Sequence, residues 1–175
     1  MRRIFTAALA VLLLAGCGQS AGGDQSKLTG TSSAIMTQLL AETKAALPAD
    51  AQPITEEVAM DVATAPQIGL TAAEFTDQVT DGTISRAMIM TAAHEMVLIQ
   101  AKDAAAAKQL KASIAKQYDP KKWICVFPQQ ASVVDSGPYV LLIASTKQYS
   151  DAALAAFTQL AGTTGAVDAF YNGVG

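Results

Sequence analysis

Four successive large apolar residues, Met96-Val97-Leu98-Ile99, constrain this chain more than any other feature of its exportable part. They sit in a β-leaning run from His94 to Lys102, and successive residues of a strand point to opposite faces. A run apolar on both faces belongs inside a sheet that helices cover on at least one side. A second β-leaning run, Ile84 to Thr91, precedes it. Asp103 then caps an Ala- and Lys-rich helix to about Tyr118, with Ala107, Leu110, Ile114 and Tyr118 on one stripe, and Pro120 ends it. Further strands are expected over Trp123 to Phe127, Ser132 to Val134 and Tyr139 to Ser145, separated by Pro128 and a turn at Asp135-Ser136-Gly137-Pro138. Ser150 caps a last helix, Asp151 to Leu160, and Gly162 closes it. The Gly-rich tail from Thr163 onward carries no assignment.

Upstream, the spacing of Ile35, Met36, Leu39 and Leu40 predicts a helix from Ser33 to Leu47, with Pro48 past its end. Thr55-Glu56-Glu57-Val58 has the form of a capped helix start. Thr71 and Glu74 form a capping box, and that helix is expected to end at the Asp81-Gly82 turn signal. The expected fold class is α+β. It is an antiparallel or mixed sheet of about five strands with helices packed on one face, preceded by short N-terminal helices. Residues 34–175 read as one such domain.

The N-terminus sets the compartment. Arg2 and Arg3 precede an uncharged run from Ile4 to Ala15, and small residues follow. This is the three-part pattern of an export signal, and the run is well short of the ~20 residues a spanning helix needs. Leu14-Ala15-Gly16-Cys17 resembles the lipobox of bacterial lipoproteins. That resemblance implies cleavage after residue 16 and acyl chains, palmitate among them, on Cys17. Residues 1–16 are thus expected to be a signal peptide, and 17–33 a lipidated cysteine with a Gly/Ser-rich flexible tether. The domain would be held by lipid at the extracytoplasmic face of a membrane.

Removing 16 of the 175 residues leaves 159, one ordinary domain plus a tether. The balance of 12 basic and 15 acidic residues becomes 10 against 15, a net charge of −5, with Arg86 the only arginine left. No Lys/Arg cluster exists for a phosphate backbone, so nucleic acid is excluded as a partner. Aromatic residues make up 6%, too few for a platform of stacked rings. With Cys17 lipidated, Cys125 has no disulfide partner, and its apolar neighbours predict a buried thiol.

From about Thr55 onward the chain resembles a family of small uncharacterised lipoproteins of Gram-positive bacteria, a domain of unknown function. The likeness rests on Ala93-His94-Glu95-Met96-Val97 with Lys102-Asp103, on the helix Ala104 to Tyr118, and on Val133-Val134-Asp135-Ser136-Gly137-Pro138-Tyr139-Val140-Leu141-Leu142. The usual family pattern has an acidic residue where His94 stands. The resemblance covers roughly two-thirds of the chain, and its motifs are strand, turn and helix signals. It implies a lipoprotein with an α+β domain and assigns no activity, cofactor or catalytic residue.

Residue chemistry narrows the function further. One histidine and one cysteine cannot supply the three or four ligands of a zinc or copper centre, and no calcium loop or phosphate-cradling Gly-rich loop occurs. No metal or other cofactor is expected. A nucleophilic hydrolase needs a base, and His94 is the sole imidazole, but there is no G-x-S-x-G elbow. His94 reads as a partly exposed histidine at a sheet edge, and Glu95 as a surface carboxylate pairing with Lys102 or Arg86. The forked guanidinium of Arg86 suits a ligand carboxylate or an acidic neighbour. Arg86, His94 and Glu95 are therefore the candidate ligand or partner contacts, and no catalytic residue is assigned. The favoured function is a non-enzymatic binding or interaction module with a protein or envelope partner. The alternative is an envelope-acting hydrolase or transferase using Ser or Asp with His94. A pocket holding His94, an acid and a hydroxyl within hydrogen-bond reach would favour the enzyme.

Overall fold

The computed structural model describes residues 26–89 and 92–173. The expected signal peptide, residues 1–16, and Cys17 lie outside them. Six strands form one antiparallel sheet: β1 (Thr55–Ala59), β2 (Val79–Ala87), β3 (Glu95–Ala101), β4 (Gln130–Ser136), β5 (Tyr139–Ser145) and β6 (Asp168–Asn172), in the order β1-β2-β3-β5-β4-β6. Among the described residues four α-helices accompany it: α1 (Ser32–Ala45), α2 (Ala72–Gln78), α3 (Ala104–Gln117) and α4 (Lys147–Ala161). The class is α+β, as expected.

The layering differs from the expectation of helices on one face. Val97 and Ile99 enter one core with Leu110 and Ile114 of α3, against which Phe75 of α2 packs. Met96 and Leu98 enter a second core with Met36 and Leu39 of α1 and Tyr149 and Phe157 of α4. Both faces of β3 are apolar, so both need a cover, and the sheet is the middle of three layers.

The local signals that hold are caps. Thr71 and Glu74 complete the capping box of α2, Asp103 caps α3, and Gly162 at φ +75° ends α4. Four segments differ from the expectation. Thr146, not Ser150, accepts from the Tyr149 N–H and caps α4, which begins at Lys147 and not at Asp151. The segment from Thr55 is a strand, not a helix: it pairs with Ala87 to Thr83 along the open side of β2 and lays Val58 on the first core. Asp81-Gly82 lies inside β2 and not in a turn; a Cβ on Gly82 would come within 2.9 Å of Met60 Cβ, so glycine there permits a close approach. Trp123 to Phe127 forms no strand, because the free side of β4 is taken by β6 from the tail that carried no assignment. Cys125 is consequently exposed, not buried.

The chain joins the domain at the end of the sheet where β5 begins. Lys27 donates its backbone N–H to Ala161, Leu28 is buried, and the Tyr139 hydroxyl donates to the Gly30 carbonyl at 3.0 Å.

Candidate functional site

The opposite end of the sheet holds Arg86, His94 and Glu95. There Glu95 pairs with Ala144, Arg86 with Glu95 and Gln130 with Ser145. Alternation sends His94 to the α1/α4 layer and Glu95 to the α3 layer.

His94 is 2% exposed and precedes an interior strand, so it is not the partly exposed sheet-edge residue expected from sequence. Its Nδ1 lies 2.9 Å from Ser145 Oγ, and its ring meets Tyr149 edge-on, with centroids 4.6 Å apart at 80°. Burial, aided by the charge of Lys44, lowers its pKa to about 4, so the ring is neutral at neutral pH. Its Nε2 is buried without a hydrogen-bond partner, as are Ser85 Oγ, Tyr149 OH and Ser150 Oγ. Ser85 shares the face of Thr83, which bonds to Ser32 of α1, so all four atoms belong to the layer between sheet and α1/α4.

Glu95 is buried on the other face, and although its backbone lies opposite Arg86 its carboxylate forms an ion pair with neither Lys102 nor Arg86. It accepts from the Tyr118 hydroxyl at 3.0 Å and from Lys122 Nζ at 2.6 Å. Burial, then the charge of Glu95, pushes the Tyr118 phenol far above its usual range. Lys122 also donates to the Gln67 carbonyl at 2.9 Å, with its ammonium 4.7 Å from the Tyr118 ring centroid and 5.0 Å from that of Trp123. Arg86 donates through Nε to Glu56 at 2.9 Å, both side chains about half exposed. Such a surface pair contributes little, ~0–1 kcal/mol.

Two clefts open at this end. One, of about 480 Å³, is lined by Asp50, Gln52, Pro53, Ile54 and Ser145 among others. The second, of about 470 Å³, is lined by Pro66, Arg86, Glu95, Lys122 and Trp123 among others. Ala87, Ala92 and His94 line both. The structure thus brings Arg86, His94 and Glu95 to one cleft and adds Ser145, Tyr118, Lys122 and Tyr149 to their surroundings. In sequence only the Lys122-Trp123 pair carries a hint, a cation beside an aromatic ring; Ser145 and Tyr149 carry none.

The geometry supplies a hydroxyl to the imidazole but no acid. Among the described residues no carboxylate bonds to His94, and the adjacent Glu95 is on the far face, engaged by Lys122 and Tyr118. Among the described residues no group of three or more His, Cys, Asp or Glu side chains is placed to hold a metal ion.

Residues 1–17 match the family model of the prokaryotic membrane lipoprotein lipid attachment site, which ends on Cys17. The chain is therefore a bacterial lipoprotein anchored to a membrane through lipid. Neither a curated protein nor a solved structure matches it. Among the described residues no helix is long and apolar enough to cross a membrane.

Proposed function

We propose that this lipoprotein is an extracytoplasmic binding module whose ligand occupies the paired clefts around His94. The observation that carries the reading is the imidazole itself: Nδ1 is spent on Ser145, Nε2 is buried without a partner, and His94 is among the residues that line both clefts. A buried polar atom left unpaired costs ~1–3 kcal/mol, and an occupant that pairs with it recovers that cost. Both cations of the second cleft are already matched, Lys122 by Glu95 and Arg86 by Glu56, and Asp119 accepts from the Lys121 backbone N–H, which suits a neutral hydrogen-bonding ligand from the envelope or a partner protein. The extracytoplasmic face follows from the basic start and short apolar run of residues 1–16, which have the form of an export signal. The likeness of the domain to small Gram-positive lipoproteins supports the same placement. The test is a thermal-shift screen of neutral saccharides and N-acetyl dipeptide amides against wild type, His94→Gln and Ser145→Ala. A stabilising compound whose effect both variants lose supports the reading. Compounds that stabilise all three proteins equally bind elsewhere and count against it.

A hydrolase or transferase is the second reading, favoured by the 2.9 Å contact between Ser145 and His94. Against it, an imidazole with a pKa of about 4 is a weak base near pH 7, and it lacks an orienting carboxylate. Ser145 that reacts with a fluorophosphonate probe in wild type but not in His94→Gln would establish an activated nucleophile and displace the binding reading.

A further inference from the structure

We propose that the segment from Lys121 to Pro128 seats on the bilayer to which the lipid on Cys17 holds the domain. Ile124 is 89% exposed and Phe127 55%, and Cys125 between them is exposed too. Large apolar side chains held in water by a short irregular segment gain free energy wherever they meet an apolar phase. The segment opens with exposed Lys121, the cation free to stay hydrated, while Lys122 beside it is held by Glu95 with its ammonium against the Trp123 ring. A cation, an indole and apolar tips together suit the headgroup–acyl boundary, where basic groups stay hydrated above buried rings. Ile54 (63% exposed), Met88 (60%) and Ile89 (49%) lie at the same end of the sheet, where Met88 N–H bonds to the Ile54 carbonyl. They widen the apolar rim around the clefts.

The occupant follows from the anchor. Cys17 is nine residues before Ser26, a length of chain that spans at most ~31 Å. The chain joins the domain beside Tyr139, and the rim lies at the other end of β3 and β5, the five steps from Gln100↔Tyr139 to Glu95↔Ala144, or ~17 Å of strand. The span exceeds the offset, so a domain lying along the membrane can bring Ile124 and Phe127 to it. Lipid attachment also makes the contact intramolecular, at an effective concentration of order millimolar, so a weak interfacial contact is populated. The mature net charge of −5 gives no general attraction to anionic lipid, and apolar insertion dominates. Both clefts then open beside the membrane surface. This inference stands apart from the binding reading, and its failure leaves that reading intact.

Cys125 provides the probe, because the thiol of Cys17 is acylated. The lipidated full-length protein is labelled at Cys125 with a small polar fluorophore and reconstituted into phosphatidylcholine–phosphatidylglycerol vesicles carrying nitroxide-headgroup lipid. Wild type is expected to shift its emission to the blue and lose most of it to the nitroxide. Ile124→Asp/Phe127→Asp, whose side chains are outside both cores, is expected to keep the wild-type melting curve and lose the quenching. Equal quenching of the two proteins, or none in either, overturns the proposal. Protection of the label that grows with protein concentration without nitroxide quenching also overturns it, and assigns the rim to a second copy of the chain.

Discussion

Acidification from pH 7 to pH 5 is expected to destabilise the domain by about 2 kcal/mol through His94 alone. The imidazole is buried and neutral, with a pKa lowered from 6.5 to about 4. Between those values the unfolded chain binds a proton that the folded protein refuses, so stability rises with pH there. The contribution is fully present above pH 6.5 and disappears as pH falls toward 4. Its full size, from a gap between 6.5 and about 4, is about 3 kcal/mol. At pH 5 the unfolded imidazole is almost wholly protonated and the folded one almost wholly neutral, so about two-thirds of that is already lost. The assay is urea denaturation of wild type and His94→Gln at pH 7, 6 and 5. Asp61 and Glu74 also have lowered pKa values, through hydrogen bonds from Thr64 and Ser113 respectively, and they too lose stability on acidification. Both proteins share that loss, so the difference between them isolates His94. The gap between wild type and variant should narrow by about 2 kcal/mol from pH 7 to pH 5. Parallel pH dependences would refute a buried, neutral imidazole, and the site built on it would fall.

The remaining expectations are independent of that one. Cys125 should react with a polar maleimide in the native domain as fast as in the unfolded chain; strong native protection in the absence of membrane would contradict its exposure. Lys122→Met leaves the buried Glu95 carboxylate with the Tyr118 hydroxyl alone and should cost ~2–3 kcal/mol by chemical denaturation, the usual cost of a broken buried pair reduced for the partial exposure of Lys122. An unchanged midpoint would show the pair to be idle. Phe157→Ala opens a cavity between α4 and the sheet and should cost ~3–5 kcal/mol in the same assay. Cys17→Ala should abolish incorporation of labelled fatty acid and release the protein from membranes, whereas labelled, membrane-bound variant protein would exclude Cys17 as the attachment point.

Local chemistry was readable wherever a signal and its consequence sit within one turn or one hairpin. Thr71 caps α2 because Glu74 is three residues away, and Asp103 caps α3 because Ala106 N–H lies within reach of its carboxylate. Gly137-Pro138 joins β4 to β5 because neither residue is needed in the ladder, which closes at Ser136↔Tyr139. The same reasoning failed at Thr55, where a hydroxyl followed by two carboxylates looks like a helix cap. The segment is a strand because β2 offers an unpaired edge, and propensity is weak beside a row of backbone hydrogen bonds.

The sequence by itself determined the lipid attachment at Cys17, the caps of α2 and α3, and the two-faced apolar β3. Tertiary structure alone decided which side chains meet. Glu95 faces α3 and finds Lys122, 27 residues on, while His94 faces α4 and finds Ser145, 51 residues on. No spacing rule reaches across such distances, because those contacts exist only once three layers have closed. Competition for one edge had the same character. The apolar run Trp123 to Phe127 had the composition of a strand, but β6 took the free side of β4, and Ile124, Cys125 and Phe127 were left exposed. Backbone pairing admits one neighbour on each side of a strand, and only the folded chain settles which segment that is.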